Sequence, residues 1–165
     1  MELLIVRHGV AYGGDSNRWP DDRQRPLTAE GTARARQAAG GLKRLVDRPQ
    51  LLLTSPFTRA KQTAAILTAY AAWPNALDCS ALSPGESPEV ALDAIRAEPQ
   101  NLVAIVGHQP GLGRLIAACL PGKAQSKGFE LETFGAALLS FDGAPRAERA
   151  VLIWLLTPSI IRRLR

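Results

Sequence analysis

Cysteine is scarce in this sequence. Cys79 and Cys119 stand alone, far apart and in no metal-ligand spacing. That rules out a disulfide framework or a zinc module and suits a reducing, cytoplasmic compartment. No apolar run approaches the ~20 residues of a membrane helix, so no membrane partner is expected. The opening Met1-Glu2-Leu3-Leu4-Ile5-Val6 has no basic leader, and its apolar run is too short for a signal peptide. Internal repeats and low-complexity linkers are missing, and one domain is expected over residues 1–165. There is no G-x-x-x-x-G-K-[ST] phosphate loop, and neither cysteine is followed six residues later by arginine. The net charge is +5, but no nucleic-acid module or basic–aromatic stripe accompanies it. The charge therefore fits phosphates or acidic proteins better than nucleic acid. Histidine is also rare: His8 and His108 are the only two. With no carboxylate cluster at ligand spacing, no metal or other cofactor is expected. Without a coiled-coil pattern, the expected state is a monomer.

What remains is a regular alternation. Leu3 to Val6, Leu51 to Thr54, Leu102 to Val106, Ala136 to Phe141 and Val151 to Leu156 are short apolar runs of the kind buried strands carry. Between them lie helical patterns. Ala35, Ala38, Ala39, Leu42, Leu45 and Val46 share one face of a helix capped by Thr28. Ser55-Pro56 reads as a cap and first turn for a helix to about Ala72, and Ser87-Pro88 for another through Ala97. Pro110 to Cys119 is a further helix, closed by Pro121-Gly122. Strands alternating with helices specify an α/β fold with a mostly parallel central sheet. Arg18 to Arg25, Cys79 to Pro84 and Pro121 to Phe134 read as loops, and the basic tail from Ile160 to Arg165 as a frayed terminus. Trp19, Trp73 and Trp154 are assigned to core packing.

Three of the expected strands run straight into polar residues. The first ends in Arg7-His8-Gly9, the second in Thr54-Ser55-Pro56-Phe57-Thr58-Arg59, the third in Gly107-His108. In open α/β sheets ligands bind beyond the carboxyl ends of strands, so one pocket can collect all three. Two arginines offer planar forks that match phosphate oxygens. A helix start adds free N–H groups that favour an anion. A neutral histidine is a nucleophile. Together they point to phosphoryl transfer through a phosphohistidine.

Those residues carry a resemblance. Leu4-Ile5-Val6-Arg7-His8-Gly9 resembles the Arg-His-Gly signature that opens the histidine phosphatase superfamily, which includes phosphoglycerate mutases. Arg25-Pro26-Leu27-Thr28, Thr54 to Thr63 and Gly107-His108-Gln109-Pro110 resemble its SixA-type phosphohistidine phosphatases, from residue 1 to about 120. The resemblance implies a three-layer α/β/α sandwich. It makes His8 the nucleophile, Arg7 and Arg59 the phosphoryl clamp, His108 a second donor, and Arg25 a rim residue. Gly9 would let the backbone turn close to the phosphate, with Ser55 also on the substrate side. Family members acting on phosphate esters use a carboxylate as general acid. SixA-like relatives often carry an aspartate near the place of Ser87; here Glu86 or Glu89 is the candidate. A weak acid suits a phosphohistidine on a carrier or phosphorelay protein, because imidazole, with a pKa near ~6.5, leaves more easily than an alkoxide. The alternatives are a small-molecule phosphomonoesterase and a non-catalytic phosphoprotein reader. A mutase role fits poorly, since the short chain leaves little room to enclose a substrate.

Overall fold

The computed structural model describes residues 1–122 and 129–164. The loop expected over Pro121 to Phe134 is thus described only at its ends, and Arg165 lies outside the described residues. Six strands are present among the described residues: β1 Glu2–Arg7, β2 Leu51–Thr54, β3 Leu77–Asp78, β4 Leu102–Gly107, β5 Ala136–Phe141 and β6 Ala150–Leu156. The helices are α1 Ala29–Leu45, α2 Thr58–Ala71, α3 Pro88–Arg96, α4 Gly111–Cys119 and α5 Pro158–Arg163. The strands form one sheet in the order β3-β2-β4-β1-β5-β6. β3, β2, β4 and β1 pair in parallel, and β5 runs antiparallel to both β1 and β6.

Both faces of the sheet are covered, which is why β1, β2 and β4 read as unbroken apolar runs rather than alternating ones. Leu4, Val6, Leu52, Ala104 and Val106 pack with α1, α2 and Ile161 of α5. Leu3, Ile5, Leu53, Val103 and Ile105 face the other way, onto α3 and α4. The α/β/α layering follows directly. It also creates a switch point: the chain leaves β1 toward α1 on one face and leaves its neighbour β4 toward α4 on the other. A crevice opens where adjacent strands part in this way.

Local chemistry set most of the boundaries. Thr28 caps α1, its hydroxyl accepting from Gly31 N at 2.8 Å, and Ser87 caps α3 ahead of Pro88. Four expectations are corrected. α2 begins at Thr58 with Phe57 at its cap; the Ser55 hydroxyl accepts from Phe57 N at 3.4 Å and bonds His108 Nε2 at 2.8 Å. β3 went unread, since two exposed residues carry no periodicity. The C-terminal tail is not frayed: α5 buries Ile161 completely against α1. Gly41 permits that approach, because a Cβ there would lie 1.9 Å from the Ile161 carbonyl oxygen. Trp73 is in the core and Trp154 packs on it, but Trp19 instead stacks on Tyr12 with ring centroids 6.0 Å apart.

Candidate active site

The two histidines meet because their strands are adjacent. Arg7 of β1 registers with Gly107 of β4, so His8 and His108 are the next residues on both strands. The His8 N–H donates to Gly107 O at 3.1 Å, and the two rings lie 5.0 Å apart. His8 Nδ1 is 2.7 Å from Gly9 O. A carbonyl only accepts, so the proton of the neutral ring sits on Nδ1 and the lone pair on Nε2. Burial, with help from the nearby Arg59, Arg7 and Arg25 cations, pushes the His8 pKa down to about 4 against the opposing Gly9 bond. Burial likewise takes His108 to about 3, reinforced by His8 and Arg59. Both rings are therefore neutral at physiological pH.

The first turn of α2 supplies Arg59, and β1 and the rim supply Arg7 and Arg25. Arg59 is 4% exposed and lies over the Phe57 ring at 4.9 Å, and Phe57 in turn packs edge-on against His108 at 5.2 Å. Arg59 Nη1 donates to Asp22 O at 2.9 Å and Nη2 to Asp22 Oδ2 at 3.0 Å. Arg7 Nη1 donates to Leu131 O at 2.6 Å. Arg25 Nε donates to Asp22 Oδ1 at 2.7 Å and Nη1 to Tyr12 O at 2.6 Å. Among the buried side-chain atoms without a protein partner in the described residues, three belong to this site: Arg7 Nε, Arg59 Nε and His108 Nδ1. Buried polar atoms are normally paired, so unsatisfied cationic donors around a histidine suit an oxyanion.

Comparison with known proteins shows the family and the fold. The family model for the histidine phosphatase superfamily, branch 1, matches residues 3–79. An uncharacterised protein of Picosynechococcus sp. (strain PCC 7002) is 36% identical over 126 residues, 74% of this chain and 75% of that protein. Phosphohistidine phosphatase SixA of Escherichia coli K12 is 32% identical over 127 residues, 74% of this chain and 76% of the relative. This chain belongs to the histidine phosphatase superfamily. A solved structure of the protein histidine phosphatase SixA complexed with tungstate superposes with a TM-score of 0.83 at 26% identity, covering 98% of this chain and 99% of that one. The α/β sandwich is thus a histidine-phosphatase fold, and its likeness to SixA spans nearly the whole chain.

Within this superfamily member, some sequence-derived placements change. A Cβ at Gly9 would meet Leu27 and Ala35 at ordinary distances, and the Gly9 N–H is donated to Thr63 Oγ1 at 2.9 Å. Its role is the carbonyl that orients His8. Ser55 is fully buried and reaches the site only through His108, its Oγ 2.8 Å from Nε2. Glu86 and Ser87 line a cleft of about 20 Å³ together with His108. Glu89 is not among the residues lining it; it is fully exposed, and a hydrogen bond from Ser87 holds its carboxyl below the ordinary range. That is the opposite of the shift a general acid needs.

Two residues were missed. Thr63, donating to Arg59 O at 2.7 Å while accepting from Gly9, ties β1's end to α2. Its place one turn after Arg59 was the available signal. Asp22 joins Arg25 to Arg59, and its only trace in the sequence is a carboxylate three residues before an arginine.

Proposed function

We propose that this protein is a phosphatase that hydrolyses phosphohistidine on a carrier or phosphorelay protein through a phosphorylated His8. The observation that carries the reading is the His8 ring, neutral, oriented by Gly9 O, with Nε2 free beside two arginines and a second histidine. In the first step Nε2 attacks phosphorus in line, forming a P–N bond as the substrate's P–N bond breaks. If the substrate ring is protonated on its other nitrogen, it leaves as neutral imidazole. In the second step water attacks phospho-His8, releasing inorganic phosphate and regenerating the ring. Arg7 and Arg59 hold the equatorial oxygens, where positioned charge contributes most to phosphoryl transfer. With Ser55 as the donor in its bond to His108 Nε2, the proton of that ring would sit on the buried Nδ1, available to the same oxygens. Arg25 completes the rim.

A neutral imidazole leaving group needs little acid catalysis, and this supports the phosphohistidine reading, as does the whole-chain likeness to SixA. A small-molecule phosphomonoesterase is the second reading. It is favoured by Glu86, whose place in the cleft beside His108 is where an acid could serve an alkoxide.

The test is hydrolysis of a phosphohistidine-bearing protein, an aryl phosphate and a sugar phosphate by the wild type, His8→Ala and Glu86→Gln, with acid-labile phosphoenzyme trapped during turnover. Preference for phosphohistidine, label on His8 and indifference to Glu86→Gln support the first reading. Efficient sugar-phosphate cleavage that collapses in Glu86→Gln moves the protein to the second. No turnover and no label would leave a phosphoprotein-binding module.

A further inference from the structure

Asp22 stands at the rim, outside every motif the sequence singled out. Its side chain is half exposed, whereas the Arg59 side chain it binds is only 5% exposed. Asp22 opens a short 3-10 turn, Asp22–Gln24, that is wound by Asp21 accepting from Arg23 N. The backbone of that turn makes the first contact: Asp22 O accepts from Arg59 Nη1 and also from Arg25 N at 3.2 Å. The carboxylate makes the second: Oδ2 takes Arg59 Nη2 and Oδ1 takes Arg25 Nε. One residue thus joins the rim arginine, Arg25, to the buried arginine of α2.

We infer that Asp22 is a positioning residue that holds Arg25 and Arg59 as a preformed oxyanion-binding pair. The inference rests on the phosphoryl-transfer reading of the site. Two guanidinium groups this close repel each other, and the other acceptor of the Arg25 side chain is Tyr12 O, on the same rim segment. Among the described residues, the Asp22 carboxylate is what ties the Arg25 side chain to α2. Arg59 uses two of its N–H groups on Asp22, and its buried Nε stays free for a ligand. The carboxylate therefore orients the fork without consuming all of it. A bridge from Arg25 through Asp22 to Arg59 is worth more for alignment than for net charge, since preorganised donors cost no reorganisation when an oxyanion arrives.

Simple Coulomb attraction forecasts the opposite sign, because deleting an anion beside two cations should tighten an incoming oxyanion. That contrast makes the test sharp. Tungstate binding to the full chain is measured by calorimetry for the wild type, Asp22→Asn and Asp22→Ala, beside unfolding midpoints and kinetics on an aryl phosphate. Asp22→Ala is expected to bind tungstate at least about tenfold more weakly, with a parallel fall in kcat/KM. Asp22→Asn, which keeps one acceptor, should lie between, and all three should unfold at similar temperatures. Equal or tighter tungstate binding by both variants overturns the inference and leaves the phosphoryl-transfer reading intact. Should Asp22→Ala not fold, the Asn variant decides by the same criterion. A wild type that binds no tungstate and gives no labelled His8 overturns both.

Discussion

His8 and His108 make the site unusually accessible to measurement, because the chain has no other histidine. Their ring Cε1–H signals can be followed by NMR, with His8→Ala assigning the pair. Both are expected to titrate well below the ordinary histidine value, near pH 4 and pH 3, because burial disfavours the charged ring. The sign for stability follows. Between pH 6.5 and these lowered values the unfolded chain takes up protons that the folded chain refuses. Stability from the two rings is therefore complete above pH 6.5 and falls as the pH drops toward 4, which acid-dependent unfolding midpoints can check. A midpoint near 6.5 for His8 would mean an exposed ring. At the same scale, Arg59→Ala removes a buried donor from the oxyanion cradle. A loss of about 10²- to 10³-fold in kcat is expected in steady-state kinetics, as for other preorganised donors.

Caps and close approaches govern the elements. Ser55 shows how a cap motif can be shared: Ser-Pro is a good helix start, but the serine hydroxyl, which accepts from Phe57 N at 3.4 Å, also bonds the buried His108 at 2.8 Å, and the helix begins only at Thr58. α5 makes the complementary case. Its docking depends on a glycine far away in sequence, so Gly41→Ala is expected to push α5 off α1. Overpacking of this sort costs about 1–3 kcal/mol, visible as a lowered unfolding temperature with little change in kcat if the site lies elsewhere. Ile161→Ala should cost about 2–5 kcal/mol by emptying a fully buried position. If both variants unfold like the wild type, α5 is not part of the cooperative core.

For the whole molecule, the +5 charge gives a kinetic expectation. Association with an acidic phosphoprotein should slow as salt rises, while turnover of a small aryl phosphate should respond far less. Equal salt dependence would argue against steering by the protein surface. Much of the architecture was legible in the sequence. Leu51–Thr54 and Ala136–Phe141 matched the expected strands residue for residue, since burial on both faces writes itself as an unbroken apolar run. Thr28 and Ser87 were legible because a cap is a contact over three residues. The histidine-phosphatase signature residues were legible as strand ends followed by polar groups. What the sequence by itself determined is the long strands, the four longer helices and the chemical types at their ends, because these depend on local periodicity and short-range hydrogen bonding. Only the tertiary structure decided that Arg7 registers with Gly107, that Ser55 bonds His108, that Thr63 bonds Gly9, and that Asp22 reaches Arg59. Each of these last is a contact between segments distant in the chain, set by sheet order and packing, and no local pattern records it.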